Sequence, residues 1–212
     1  WHRDTYVEEY HRHFFTNLAA GRKPINCGVR DVHVGGLVPV PALVAALGAA
    51  HPDLRRIVAE HVGLTHKDRD VLAAADAFTR MLAAVCRGAD LRETILDHGR
   101  DWISRARLEG WRDLPDRAVV GERLSSACYI SDAFPASLAL AWRHADDFAA
   151  GVFANASCGG DSCHRGAVVG ALLGAARPIP APLLEGLRSL ARVEDVFDRS
   201  PAFPGDHPET QA

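Results

Sequence analysis

The stretch Cys158-Gly159-Gly160-Asp161-Ser162-Cys163-His164 gathers two thiols, a carboxylate, a hydroxyl and an imidazole on a short run of chain. Three chemistries fit those groups. A hard cation such as magnesium would take its oxygens from Asp161, Ser162 and backbone carbonyls. Zinc would draw on Cys158, Cys163 and His164, although the spacing follows no usual zinc pattern and a fourth ligand is unnamed. A thiolate at Cys163, activated by a helix N-terminus and by His164, would serve as a nucleophile. A fourth reading needs no ligand: the turn caps a helix and the thiols are small buried groups. A second constellation, Cys27-Gly28-Val29-Arg30-Asp31-Val32-His33, sets a thiol, a guanidinium, a carboxylate and an imidazole in one loop. It reads either as a substrate-binding segment or as a loop that satisfies its own backbone. His2, His11 and His13 read as solvated or core-edge histidines, and His66 as one bonded to backbone.

Positioning these groups requires particular local structures. Gly159-Gly160 suits a tight turn, because glycine enters backbone regions closed to other residues. Asp161 or Ser162 then caps the helix that follows. Gly166, Gly170 and Gly174 recur every four residues on one face of that helix. Each interior glycine costs ~1 kcal/mol relative to alanine, a cost accepted where a neighbour must come close.

The rest of the chain supplies the scaffold. A first helix is expected from about Thr5 to Leu18, with Thr5 and Glu8 at capping-box spacing and Tyr6, Tyr10, Phe14 and Leu18 as its apolar stripe. A loop rich in proline and glycine runs from Gly21 to Pro41. Helices follow over Pro41–Ala50 and Pro52–Gly63. Another begins at the Thr65-His66-Lys67-Asp68 cap and ends at Gly88. One long helix is expected over Asp90–Leu108, then a connector over Asp113–Asp116. Further helices are expected over Glu122–Ile130, Phe134–Trp142 and Asp146–Phe153, then after Asp161, with a closing helix carrying Leu183 to Leu190. No strand alternation is visible, so the chain reads as all-α: a single helical domain over 1–199 and a flexible tail over 200–212.

Composition narrows the function classes. The chain has 212 residues, 48% hydrophobic and 24% charged, with a formal net charge of -3. That suffices for one domain with a sizeable core. No basic stripe with interleaved aromatics points to nucleic acid. No apolar run approaches a membrane span, and no signal peptide is visible. Five cysteines without framework spacing suit a reducing, cytoplasmic setting.

The stretch from Phe148 through Gly159-Gly160-Asp161 to Ala175 resembles the C-terminal signature of the ADP-ribosylglycohydrolase family, a Gly-Gly-Asp-Thr-Asp-Thr turn before a glycine- and alanine-rich helix. Phe134–Leu140 looks like the family helix that leads to an Asp-Asp-Phe turn, and Leu64-Thr65-His66, followed by Asp76 and Phe78, looks like its Leu-Thr-His segment. The resemblance implies an orthogonal multi-helix bundle that hydrolyses N- or O-linked ADP-ribose with two magnesium ions in a central cleft. Its partner would be an ADP-ribosylated protein or a small ADP-riboside. On this pattern Asp161 matches the first metal-binding aspartate, and Ser162 a threonine that is not a ligand. Cys163 stands where the second aspartate ligand belongs, and His164 where a ligating threonine belongs. The family's other metal motifs, a Gly-Asp pair and a Thr-Asp-Asp-Thr turn, do not occur in this sequence. The expectation is a bundle lacking its N-terminal segment. The resulting site assigns Asp161 and His164 to catalysis, Gly159, Gly160, Ser162, Cys27 and His33 to substrate, and Asp161, Cys163 and His164 to metal. The alternatives are a degenerate member that binds or builds without catalysis, as crystallins of this family do, or a different enzyme working through Cys163 and His164.

Overall fold

The structure is a computed structural model that describes residues 6–199. Among the described residues it consists of twelve α-helices, with three isolated β-bridges in place of any sheet. The expected Thr5 cap and the tail from 200 lie outside the described residues. No helix is long and apolar enough to cross a membrane.

The centre is α4 (Arg69–Cys86), whose apolar residues recur around most of its circumference and bury Val71, Ala75, Phe78, Met81, Leu82 and Val85. A helix apolar on nearly every side must be surrounded. Here α2 (Val40–Leu47), α3 (Leu54–Val62), α5 (Leu91–His98), α8 (Ile130–Arg143) and α10 (Ser162–Ala176) pack against it. Its cap is Asp68, which accepts the Asp70 N–H, and not Thr65. Thr65 and His66 belong instead to the turn before the cap, where Val29 N–H donates to Thr65 O and Lys67 N–H to Val29 O.

Several expected elements differ. The helix drawn over Asp90–Leu108 is two, α5 and α6 (Arg105–Gly110), because the chain folds over at Gly99 and is recapped by Ser104. A Cβ at Gly99 would stand 2.9 Å from Leu138 and 3.0 Å from Met81, so the break lets α5 end against the core. The stretch Glu122–Tyr129 is not helical. Side chains compete for its amides: Ser125 Oγ takes the Ala127 N–H, and Asp132, in the first turn of the next helix, takes the Ser125 N–H. It is a run of turns and bends whose end lies beside Val32–Val34, with Val34 N–H donating to Cys128 O and Ile130 N–H to Val32 O. The connector holds a short helix, α7 (Asp116–Val119). The α8 helix starts at Ile130, ahead of Pro135, which therefore sits inside it and removes one backbone donor.

At the ends, α1 (Glu9–Ala19) buries only Tyr10 of its expected stripe, and Tyr6 and Leu18 are exposed. The closing helix is two short pieces, α11 (Ala181–Glu185) and α12 (Leu190–Asp198). Between α8 and α10 lies α9 (Phe148–Ser157), capped by Asp147, whose carboxylate accepts the Ala150 N–H.

Candidate functional site

The Gly159-Gly160 turn joins α9 to α10 with both glycines in the left-handed region, at φ 68° and 63°. At Gly160 no other residue fits, because a Cβ there would lie 2.1 Å from the Ser126 carbonyl oxygen. The turn is clamped from inside by Arg165, which is fully buried. Its Nε donates to Asn155 Oδ1 at 2.7 Å, and its Nη2 donates to Asn155 O at 3.1 Å and Gly159 O at 2.8 Å. Asn155 Nδ2 in turn donates to Ser162 O at 2.9 Å. The glycine stripe explains only part of the close packing. Gly166 faces Asn155 tightly and Gly174 meets Phe148, whereas Gly170 faces open space.

The clamp sets the start of α10. Asp161 is the N-cap, and both of its oxygens are engaged by one residue. Oδ1 accepts the His164 N–H at 3.3 Å, and Oδ2 lies 2.9 Å from His164 Nδ1. A carboxylate only accepts, so Nδ1 carries the proton and the lone pair of His164 stands on Nε2. Nε2 has no hydrogen-bond partner among the described residues and would lie 3.5 Å from a Cβ at Gly35. The Tyr10 hydroxyl would lie 2.8 Å from the same point, so glycine at 35 leaves room for both groups.

These groups open onto a cavity of about 510 Å³ lined by Glu8, Tyr10, His11, Gly35, His66 and His164 among others, with Phe14, Pro39 and Leu64 as apolar wall. Behind it lies a second imidazole–carboxylate set. Asp31 Oδ1 takes the His33 N–H at 2.9 Å and lies 2.5 Å from His33 Nδ1. It is 3.6 Å from His66 Nε2, too far for a hydrogen bond. His66 is 1% exposed and lies under the Tyr10 ring at a centroid distance of 4.2 Å. Its Nδ1 is 2.9 Å from Thr65 Oγ1, and its Nε2 is buried with no partner. Leaving such an atom unpaired costs ~1–3 kcal/mol. Burial pulls the His66 imidazole down to about 4, against the opposing pull of Asp31. Burial likewise pushes the Tyr10 hydroxyl up to about 12, helped by the negative charges of Glu8, Asp31 and Asp161. Both groups are therefore uncharged near neutral pH.

Of the residues assigned to the site from sequence, only His164 lines this cavity. Asp161 acts one step back, through His164. Cys27 is buried and its thiol donates to the carbonyls of Lys23 and Arg22, which makes it part of its own turn and no substrate contact. His33 turns away to stack on Tyr129 at 5.5 Å. Gly159, Gly160 and Ser162 shape the turn without facing the cavity. Cys163 is exposed, and His164 Nδ1 is committed to Asp161, so the two do not form a thiolate–imidazole pair. Asp76 is bound to Arg55 and Arg80, remote from the cavity.

The same geometry tests the expected metals. Both Asp161 oxygens already face His164, the neighbouring donors are an imidazole and an exposed thiol, and magnesium favours oxygen. Among the described residues no group of three or more His, Cys, Asp and Glu is placed to hold a metal ion. The described residues do not fit a magnesium pair. Sequence reasoning passed over Tyr10, read only as stripe, and His66, read as backbone-bonded. Each stands on a different element, so no spacing links them to His164.

Comparison with known proteins places this architecture. The family model described as ADP-ribosylglycohydrolase matches residues 2–206. A solved structure described as an "ADP-ribosylglycohydrolase-related protein complex" superposes with a TM-score of 0.66 at 28% sequence identity, covering 89% of this chain and 66% of that one. The chain thus spans 66% of the length of that protein. No curated protein matches the sequence significantly. With nearly its whole length inside the family model and its helices laid out as in that structure, the chain belongs to the ADP-ribosylglycohydrolase family.

Proposed function

We propose that this chain hydrolyses a ribosyl glycosidic bond, N- or O-linked, and frees an ADP-ribosyl group from a protein or small molecule. One observation carries the reading: in a chain of this family, His164 is held by Asp161 with its free Nε2 at a cavity of about 510 Å³. That volume suits a nucleotide-sized ligand. The lining offers what a ribose needs, hydroxyl and imidazole partners on one side and apolar wall on the other. Magnesium is not part of the reading, because the donor set does not fit it. Five free cysteines accord with a reducing compartment, the cytoplasm in the simplest case.

The test is release of ADP-ribose, followed by chromatography and mass, from an ADP-ribosylated arginine peptide and an ADP-ribosylated serine peptide. Release from either supports the reading, and release from neither overturns it. The loss of two family oxygen donors at Cys163 and His164 favours one second reading, a non-catalytic binder. Its signature is tight ADP-ribose binding by calorimetry without turnover.

A further inference from the structure

We infer that Asp161 and His164 form a metal-independent proton-transfer dyad, with the unpartnered Nε2 of buried His66 as a hydrogen-bond partner for substrate in the same cavity. The inference rests on the hydrolase reading above and starts from the mismatch between the expected magnesium pair and the residues present. Beside Asp161 this chain carries Cys163 and His164, neither of them an oxygen donor. The result is a rearranged site, and its geometry differs in kind from a metal cradle. Asp161 spends both oxygens on His164, which orients the ring and fixes its tautomer. A carboxylate on Nδ1 and a free Nε2 in a cleft is the arrangement by which histidine accepts a proton from a nucleophile.

Three further observations converge on the same space. Gly35 leaves room for His164 Nε2 and the Tyr10 hydroxyl together, where any side chain would displace one of them. His66 also lines the cavity, and its Nε2, more than nine-tenths buried, has no partner in the protein. Asp31, at 3.6 Å, is near enough to orient that imidazole and too far to satisfy it.

The step balances without metal or redox partner. His164 Nε2 takes a proton from water as the water oxygen bonds to the anomeric carbon. The bond from that carbon to the leaving nitrogen or oxygen breaks, and its electron pair stays with the leaving atom. The proton on His164 then passes to the leaving group, so that water is divided between the two products. Asp161 stays ionised throughout and supports the imidazolium.

The experiment measures hydrolysis of the same two peptides in excess EDTA and in excess magnesium. The dyad predicts turnover within about twofold in the two buffers. His164→Gln keeps a polar side chain at the cavity but lowers kcat by about 10²–10⁴-fold with KM little changed. Asp161→Asn is a good N-cap, so α10 is retained while kcat falls by a factor of roughly 10² or more through loss of the oriented tautomer. His66→Leu raises KM more than it lowers kcat. Turnover that vanishes in EDTA and returns with magnesium overturns the dyad while leaving the hydrolase reading intact. So does a His164→Gln variant, folded by circular dichroism, with unchanged kcat. Absence of turnover in both buffers overturns the hydrolase reading, and the dyad falls with it.

Discussion

His164 and His66 face one cavity, each beside an aspartate, yet they are held in opposite ways. His164 is a quarter exposed and bonded to Asp161 at 2.9 Å. His66 is buried and 3.6 Å from Asp31, with only Thr65 as partner. In the first pair contact decides: the carboxylate takes up one nitrogen and leaves the other free to work. In the second burial decides: desolvation outweighs the carboxylate, and the imidazole stays neutral. The two sets are also anchored differently. The Asp161 turn hangs mainly on side chains, Arg165 and Asn155, with one backbone bond from Asp161 N–H to Ser126 O. The Asp31 segment hangs on backbone, through the bridges of Val29 to His66 and His33 to Tyr129.

The largest effect is expected from removing the side-chain anchor. Arg165→Ala leaves Asn155 Oδ1 and Gly159 O unpaired and a cavity beneath the turn, and should lower unfolding free energy in urea by about 4 kcal/mol. An unchanged denaturation midpoint would mean the turn stands without its clamp.

The next effect is pH. In the unfolded chain His66 takes up a proton near the ordinary imidazole value of 6.5, and in the folded chain only near 4. Between those values the unfolded state binds more protons, so stability falls as pH drops through that window, by about 3 kcal/mol in all. His66→Leu should flatten the curve there; a slope that persists would assign the loss to other groups.

A smaller shift tests the reach of Asp31. Asp31→Asn removes one of the charges that hold up Tyr10, so its titration, followed by ultraviolet absorbance, should move down from about 12. Burial, the larger cause, keeps it above the ordinary tyrosine value. Smallest of all is Asp76→Ala, which loses exposed pairs with Arg55 and Arg80 and should cost less than ~1 kcal/mol in urea. A larger loss would show that the surface matters as much as the two buried sets.

Much of the fold was legible, because buried helices announce themselves by apolar spacing. The cores of α3, α4, α8 and α10 follow from Ile57–Val62, Val71–Val85, Phe134–Trp142 and the run after Asp161. The breaks were less legible. Gly99 ends α5 because Leu138 and Met81 crowd it, and neither is near it in sequence. Glu122–Tyr129 has helical composition but is folded into turns whose end is tied to Val32–Val34 by a single bridge.

The site divides along the same line. Local chemistry alone determined the Asp161 cap and the presence of His164 beside it, since each depends on neighbours within four residues, whereas the Gly159-Gly160 turn also leans on Ser126 and Arg165. Tertiary structure alone decided that Tyr10, Gly35 and His66 meet His164, that Cys27 and Cys163 do not, and that His66 is dry. Burial and the approach of separate elements set those outcomes, and neither is a property of spacing along the chain.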